Sequence, residues 1–216
     1  MSIEIGSVLG IADIARVADG LGAAVRVGID GPGASGKSTL AAGLAEALPR
    51  AVLVNGDDFY RPEADEGWSG SVAGGLFDLP RLASQVLVPH SQGEEIQFQR
   101  FNWDTEILGD WVSWPGGTPL IVDGVYSTHE MLRDFYDLRI WVNAPRAVRL
   151  ARGLQRDGEE ARSKWVDVWM PAEDRYIADQ APQDHAHLVL DGSGAVDDEL
   201  GEPLFVLLGS RDCSFR

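Results

Sequence analysis

The segment Gly31-Pro32-Gly33-Ala34-Ser35-Gly36-Lys37-Ser38 decides the fold of this 216-residue chain. It fits the pattern G-x-x-x-x-G-K-[ST] at every position. Residues 25–30, directly before it, are largely apolar and predict a strand, and residues 38–48 predict a helix. Glycines let such a loop wrap closely around a phosphate, and its backbone N–H groups then point inward beside the positive end of the helix. The sequence therefore predicts a phosphate-binding loop.

This loop predicts a site for ATP and Mg²⁺. Lys37 is expected to reach the β- and γ-phosphates, and Ser38 to ligate Mg²⁺. The chain has only two lysines, Lys37 and Lys164, and one of them falls on the required position. A glycine-rich turn that binds nothing is the alternative. The residues predicted to bind the nucleotide are Gly31, Gly33, Ala34, Ser35, Gly36, Lys37, Ser38 and Thr39.

Working outward from the loop, strands alternate with helices. The predicted strands are 25–30, 51–55, 119–122, 138–142 and 187–190, and the predicted helices are 38–48, 79–88, 129–136, 145–156 and 161–178. This alternation is typical of an α/β protein with a parallel sheet covered on both faces. Residues 96–103 predict a further strand and residues 204–208 an edge strand. The stretch 61–75 is rich in Gly, Ser and acidic residues, and predicts a mobile loop.

Composition excludes several classes of function. The formal net charge is −16, so the chain should repel nucleic acid and anionic membranes. No apolar run is long enough to span a membrane, and the first ten residues lack the features of a signal peptide. The single cysteine, Cys213, leaves no partner for an internal disulfide. These features predict a cytoplasmic protein without nucleic-acid or membrane partners.

Carboxylates follow two of the predicted strands. Asp57 and Asp58 come after the strand 51–55, and Asp123 comes after the strand 119–122. Ligands of parallel α/β sheets bind beyond the carboxyl ends of the strands. Phosphoryl transfer needs one carboxylate near the acceptor hydroxyl and another near Mg²⁺. We therefore predict that Asp57 is the catalytic base and Asp123 a metal ligand; the alternative for each is an aspartate that caps a turn or helix.

An arginine stripe follows the fourth predicted strand. Arg149, Arg152 and Arg156 have i, i+3, i+7 spacing and share one helix face, and Arg146 and Arg162 flank them. Cations are needed to neutralise charge that develops on the γ-phosphoryl group. This predicts a catalytic function for Arg152 and Arg156. The alternative is a solvated face on which the arginines pair with Asp157, Glu159 and Glu160.

Five segments between residues 25 and 192 carry a family resemblance. They are residues 29–38, Asp57-Asp58-Phe59-Tyr60-Arg61, Asp123-Gly124-Val125-Tyr126, Tyr136-Asp137-Leu138-Arg139-Ile140 and residues 149–157. Together they resemble uridine kinase, and more broadly the uridine kinase and phosphoribulokinase branch of P-loop kinases. The phosphate loop is generic to P-loop proteins, whereas the D-x-F-Y and R-x-x-R-x-x-x-R-D segments are much more specific.

The resemblance implies a three-layer α/β/α P-loop fold like that of nucleoside monophosphate kinases, with five parallel strands and a lid. It implies one domain over 1–216, with an acceptor-binding insertion at about 61–115 and a lid at about 149–165. Asp57 then matches the catalytic aspartate and Tyr60 a nucleoside-pocket residue, and Phe77-Asp78 resembles the ribose-binding Phe-Asp. The residues expected to bind the acceptor are Asp57, Tyr60, Asp78, Phe101 and Trp103.

The chain departs from the family at three places. Asp123 stands where the family commonly has Glu, and Arg152-Gly153 where it often has paired arginines. Arg100-Phe101-Asn102-Trp103 replaces a segment that usually reads Tyr-Asp-Phe. The last of these differences lies in the segment that would hold the base of a nucleoside.

The sequence predicts a kinase for a small molecule, with the 5′-hydroxyl of a pyrimidine nucleoside as the leading acceptor. Other acceptors remain alternatives: another nucleoside, pantothenate or a phosphosugar. A non-catalytic nucleotide-binding switch is a further alternative, and a homo-oligomer is compatible with the sequence. Four of the seven tryptophans fall where the acceptor should bind, where they either stack a ring or simply pack. They are Trp68, Trp103, Trp111 and Trp114.

Overall fold

A central β-sheet forms the middle layer of the protein. The computed structural model describes residues 4–61, 75, 77–194 and 203–211. The segment around Trp68, most of the loop 61–75, and Cys213 lie outside these ranges. Within them the strands are β1 (Val8–Gly10), β2 (Arg26–Asp30), β3 (Val52–Asn55), β4 (Ile96–Asn102), β5 (Ile107–Trp114), β6 (Leu120–Asp123), β7 (Leu138–Asn143), β8 (Leu188–Asp191) and β9 (Leu204–Ser210).

Seven strands form the main sheet, in the order β1-β9-β8-β7-β2-β6-β3. The five strands from β8 to β3 are parallel to one another, which confirms the predicted parallel sheet. Two antiparallel strands extend it, because β9 pairs with β8 and β1 pairs with β9. The prediction that residues 204–208 form an edge strand was wrong: β9 is an inner strand, and β1 is the edge. With only three residues, β1 is too short to leave a readable pattern.

Helices cover both faces of the sheet. They are α1 (Ile11–Asp19), α2 (Lys37–Ala47), α3, which consists of Leu79–Leu82, a π-helical turn Ala83–Leu87 and Val88–Ser91, α4 (Arg146–Asp157), α5 (Met170–Gln180) and α6 (Pro182–His185). A π-helical segment, Lys164–Trp169, leads directly into α5. No helix within the described ranges is both long and apolar enough to cross a membrane.

Alternate residues of the strands point into two separate cores. Ile121 on β6 packs with α1 and α2 on one face, whereas its neighbours Leu120 and Val122 pack with α3 and Tyr176 on the other. This alternation buries both faces of the central strands, as expected for a parallel sheet between helical layers. The three-layer α/β/α prediction is therefore confirmed.

The predicted helix over residues 129–136 was wrong. The chain there forms turns and a short 3₁₀ helix, Arg133–Phe135. Most of its backbone bonds span three residues, such as the bond from Leu132 N to His129 O at 2.7 Å. Side chains also take up local N–H groups: Met131 N donates to His129 Nδ1 at 3.1 Å. These local bonds replace the regular helical pattern.

Strands β4 and β5 form an antiparallel hairpin beside the main sheet. Trp114 stacks on Phe98 in the second core, with ring centroids 5.5 Å apart, so for Trp114 packing is the observed role. Trp111 lies on the opposite face and is exposed. The prediction of a strand over 96–103 was correct, but its partner β5 was not predicted, because its apolar residues do not alternate regularly.

Candidate functional site

A cavity of about 700 Å³ opens at the carboxyl ends of β2, β3 and β6. Its walls come from the phosphate loop, the loops after β3 and β6, the hairpin, α4 and α5. This is where an open parallel sheet binds its ligands. Many predicted site residues line it: Gly33, Ala34, Ser35, Gly36, Lys37, Ser38, Thr39, Asp57, Tyr60, Trp103, Asp123, Arg152 and Arg156. Gly31, Asp78 and Phe101 are not part of this lining.

The phosphate loop has a conformation that requires glycine. Gly36 has φ +104°, in the left-handed region, and caps α2. Gly31 lies against the carbonyl of Val142, where a Cβ atom would collide. The side chain of Lys37 is buried, and its Nζ donates to Pro32 O at 2.9 Å. The loop is thus folded with its cation held at the centre.

Asp30 joins the start of the loop to two neighbouring elements. Its fully buried carboxylate accepts N–H bonds from Gly31 at 2.6 Å, Tyr126 at 3.1 Å and Thr128 at 2.9 Å. The hydroxyl of Tyr176 on α5 also donates to it, at 2.7 Å. Burial raises the pKa of Asp30, while these donors counteract the rise. Sequence reasoning missed this structural role, since Tyr126, Thr128 and Tyr176 lie 96, 98 and 146 residues away.

Asp123 has the surroundings of a metal ligand. It ends β6 and is buried, and Ser38 lies close enough to lower its pKa. Its Oδ1 is buried and has no hydrogen-bond partner within the described part of the chain. A buried carboxylate oxygen without a donor is costly unless a cation completes it. Burial raises the pKa of Asp123, and the charge of Lys37 lowers it. Ser38 and Asp123 both offer oxygen atoms as metal ligands, and oxygen is the ligand atom that Mg²⁺ prefers.

Asp57 faces the same cavity from the end of β3. It lies in a short 3₁₀ helix, Gly56–Phe59, where its N–H donates to Asn55 Oδ1 at 3.0 Å. The side chain is open to the cavity, yet protein atoms surround it, and this desolvation raises the pKa of Asp57. The charges of Lys37 and Arg156 counteract the rise. The structure therefore brings the predicted base, the loop lysine and a lid arginine together.

An aromatic wall closes the side of the cavity away from the phosphate loop. Tyr60 packs on Trp103 with ring centroids 4.7 Å apart and on Phe77 at 5.5 Å. Trp103 is 54% exposed, so its ring is available to a ligand. Phe101 is buried behind this wall, 5.4 Å from Tyr60. The wall offers flat surfaces on which a ring could stack.

Asp78 is the N-cap of α3. Its Oδ1 accepts from Arg81 N at 3.0 Å, which caps α3. The carboxylate also lies 3.6 Å from Arg61 and 3.8 Å from Arg81. Its predicted contact with the acceptor stays a prediction.

The arginines of the predicted lid have different partners. Arg156 pairs with Asp157 through two bonds, at 2.6 and 3.0 Å, as the solvated-face alternative predicted. Arg152 donates instead to backbone carbonyls, to Gly192 O at 2.7 Å and to Ser193 O. Arg149 is buried and pairs with Glu173 at 2.9 Å. The three arginines thus do not share one solvated face, and only Arg152 and Arg156 reach the cavity.

Trp165 explains the glycine that interrupts the expected arginine pair. Its buried indole lies against Gly153 of α4, where a Cβ atom would enter the ring, and also contacts Gly33 of the phosphate loop. Its Nε1 donates to Asp157 at 3.0 Å. The ring of Trp165 also meets that of Trp169, with centroids 5.2 Å apart. The segment after α4 is therefore packed down onto the phosphate loop.

Comparison with known proteins supports a P-loop kinase. None of the protein-family models matches the chain. Among curated proteins it is similar to uridine-cytidine kinase-like 1 of Mus musculus, 29% identical over 171 residues, which cover 71% of this chain and 31% of that protein. It is 29% identical over 142 residues to the uridine kinase of Saccharomyces cerevisiae, covering 61% and 28% of the two chains. It is 27% identical to the uridine kinase of Borrelia turicatae over 144 residues, which cover 61% of this chain and 66% of that protein.

The chain therefore spans about a third of the mouse and yeast relatives and 66% of the Borrelia one. Among solved structures, a possible uridine kinase from Bacillus stearothermophilus matches with TM-score 0.65 and 18% identity, over 83% of this chain and 96% of that one. A protein from Silicibacter sp. TM1040, provisionally named a fructose transport system kinase, matches with TM-score 0.62 and 21% identity, over 79% and 94%. The resemblance to uridine kinases and the P-loop fold are confirmed.

Proposed function

We propose that this protein transfers the γ-phosphoryl group of ATP to a hydroxyl of a small molecule, most favourably the 5′-hydroxyl of a pyrimidine nucleoside. The observation that carries the proposal is the meeting of three groups in one cavity: Lys37 of the phosphate loop, Asp57 and Asp123. A switch that only binds nucleotide has no use for a second carboxylate open to the cavity. The proposed unit is a single domain over 1–216, with 61–115 on the acceptor side and 149–165 as lid.

In the proposed reaction the hydroxyl oxygen of the acceptor attacks the γ-phosphorus, and Asp57 accepts the hydroxyl proton. The bond between the γ-phosphorus and the oxygen of the leaving ADP breaks. Lys37 leaves Pro32 O to bind the β- and γ-phosphates. Arg156 neutralises charge on the transferring group, and Arg152, which lines the same cavity, holds residues 192–193 beside the loop. Ser38 and Asp123 would hold Mg²⁺, which when bound shields the phosphate charge.

Two observations support a neutral, ring-bearing acceptor. The acceptor side of the cavity is lined by aromatic rings, Tyr60, Phe77 and Trp103. The two arginines next to this wall in sequence already pair with carboxylates: Arg61 with Asp78, and Arg100 with Asp58, each at 3.6 Å. A phosphorylated acceptor would meet Asp57 and Asp123 without a described cation reserved for it. The names of the curated relatives make a pyrimidine nucleoside the first acceptor to test.

The structural neighbour named as a fructose transport system kinase favours a second candidate, the same chemistry on a sugar. The test measures ADP release from MgATP with uridine, cytidine, purine nucleosides, fructose, pantothenate and phosphosugars. Strong stimulation by uridine or cytidine supports the main proposal. Stimulation by fructose alone keeps the kinase and replaces the acceptor. ATP binding with no stimulation by any compound would contradict the kinase proposal and favour the switch.

A further inference from the structure

A buried carboxylate forms a hydrogen bond with the backbone of the phosphate loop. Glu173 on α5 accepts the N–H of Gly33, the third residue of the motif, through Oε1 at 2.9 Å. Its other oxygen, Oε2, accepts from Arg149 Nη1 on α4 at 2.9 Å. Both side chains are only 6% exposed. Glu173 also lines the cavity, so this ion pair borders the site of the phosphates.

A negative charge at this position needs a reason, because it faces the place where an anionic substrate is expected. Two buried charges lose their hydration, and their mutual attraction repays this only with good geometry and further hydrogen bonds. Here both conditions hold. Arg149 has a second acceptor, Ala144 O at 3.1 Å, and Glu173 has Gly33 N–H. Arg149 neutralises the charge of Glu173. Burial raises the pKa of Glu173, and the nearby charge of Lys37 lowers it.

Helix α5 holds the loop at two peptides. Tyr176, three residues after Glu173, donates to Asp30, and Asp30 accepts the N–H of Gly31 at 2.6 Å. Glu173 itself holds the N–H of Gly33. With two of its amides held by carboxylates, the loop has less freedom to turn its remaining amides away from the cavity. Fixing such donors before the ligand arrives is what lowers the cost of binding.

We propose that Glu173 is a positioning residue for ATP: its hydrogen bond to Gly33 sets the phosphate loop, and Arg149 cancels its charge so that the γ-phosphate is not repelled. The inference rests on the proposed ATP site but not on the identity of the acceptor. A plain structural tie between α4 and α5 is the competing explanation. The two explanations differ in which atom pair matters, Glu173–Gly33 or Glu173–Arg149.

Three substitutions separate the explanations. Glu173→Gln keeps an oxygen for the Gly33 N–H and removes the charge. Glu173→Asp keeps the charge and a partner for the long side chain of Arg149, but is one methylene too short to reach Gly33 as well. Glu173→Ala removes both contacts. The matched control is Asp174→Ala, on the next residue of α5, which removes the exposed pair between Asp174 and Arg146.

The readouts are the Kd for MgATP by calorimetry, the KM values for ATP and acceptor, and thermal unfolding. We expect Glu173→Asp and Glu173→Ala to weaken ATP binding about tenfold, the scale of one lost hydrogen bond to a charged group, with the KM of the acceptor unchanged. The Kd of Glu173→Gln for MgATP should stay within about threefold of the wild-type value, and that of Asp174→Ala should equal it.

The reverse order overturns the proposal. If Glu173→Asp binds ATP like wild type while Glu173→Gln is impaired, the ion pair and not the Gly33 bond is what matters. If all three variants bind ATP normally and only unfold at lower temperature, the pair is a structural tie. If the wild-type protein itself binds no MgATP, the proposed function fails instead, which the calorimetry of the wild type shows separately. The comparison of Asp with Gln stays decisive if the Ala variant does not fold.

Discussion

Asp57 and Asp58 are adjacent carboxylates in different surroundings. Asp57 faces the cavity, whereas Asp58 lies 3.6 Å from Arg100 and outside the cavity lining. We expect Asp57→Asn to abolish phosphoryl transfer, a loss of about 10²–10⁴-fold, while the Kd for ATP changes little. Asp58→Asn is the matched control and should retain most activity. Equal loss of ATP binding and transfer in Asp57→Asn would refute its assignment as the base.

The pH dependence of the reaction should report the same residue. Burial raises the pKa of Asp57 above its ordinary value of 3.8, and the base works only when ionised. The kcat/KM for the acceptor at saturating MgATP should therefore fall as pH is lowered, with the midpoint above that ordinary value. The acid limb should persist in Asp58→Asn. A rate that stays flat down to pH 4 would contradict the assignment.

Residue positions were predictable where a local motif fixes them. The spacing of the phosphate loop predicted that Lys37 and Ser38 lie in the site, and position after a strand predicted the same for Asp57 and Asp123; all four line the cavity, and their chemical roles stay predictions. Glu173 could not be found in this way, because it lies 140 residues from Gly33 and is one of several acids on an ordinary helix. Arg149 shares a face with Arg152 in sequence, but only the packing of α4 on α5 shows that its partner is buried.

Gly153 on α4 offers a test at the scale of one element. Replacing a helical glycine by alanine usually stabilises a helix by about 1 kcal/mol. At Gly153 the added methyl group would enter the ring of Trp165, and overpacking costs about 1–3 kcal/mol. We expect the collision to dominate, so Gly153→Ala should lower the thermal midpoint and weaken ATP binding through the contact of Trp165 with Gly33.

The control for Gly153→Ala is a second substitution at Trp165, whose ring the added methyl group would meet. Adding Trp165→Leu frees space, so the double variant should be less destabilised than the sum of the two single changes. If the effects simply add, the collision is not the cause of the lost stability. A higher midpoint for Gly153→Ala alone would mean that the segment carrying Trp165 moves away from α4 at little cost.

Elements were predicted best where their apolar pattern is long. The predicted helix over residues 79–88 corresponds to α3, which begins at Leu79. The stretch 129–136 has apolar residues at helical spacing, yet side chains such as Gln180, whose Oε1 accepts from Glu130 N at 2.9 Å, compete for its backbone. Such tertiary competition cannot be read from a local window.

The charge of the whole molecule predicts a response to salt. A net charge of −16 on 216 residues destabilises the folded chain through self-repulsion. Raising the ionic strength from about 0.01 to 0.15 M shortens the Debye length from about 30 to 8 Å. The thermal midpoint should therefore rise by a few degrees over this range in NaCl at pH 7.5. The rise should shrink near pH 5.5, closer to the pI of about 4.5, and a fall at pH 7.5 would contradict it.

Topology followed from sequence only in its parallel part. Five strands that alternate with helices give a parallel sheet because each crossover must pass over a face. The pairing of β9 with β1 joins residues about two hundred positions apart, such as Val8 with Val206, whereas β9 pairs with β8 about twenty residues away, as Leu188 does with Ser210. No local pattern records which of two apolar segments lies at the edge.

Trp165, described above as packing against Gly33 and Gly153, also gives the protein an optical reporter of its own. The emission of an indole depends on nearby charge, and Arg156 lies 5.9 Å from this ring while Asp157 accepts its N–H. Polyphosphate arriving at the loop would change the field at that ring before any bond is made or broken. Nucleotide occupancy could then be followed as a change in intrinsic fluorescence, without an attached dye, and a Trp165→Phe variant would remove the signal while six other tryptophans keep emitting.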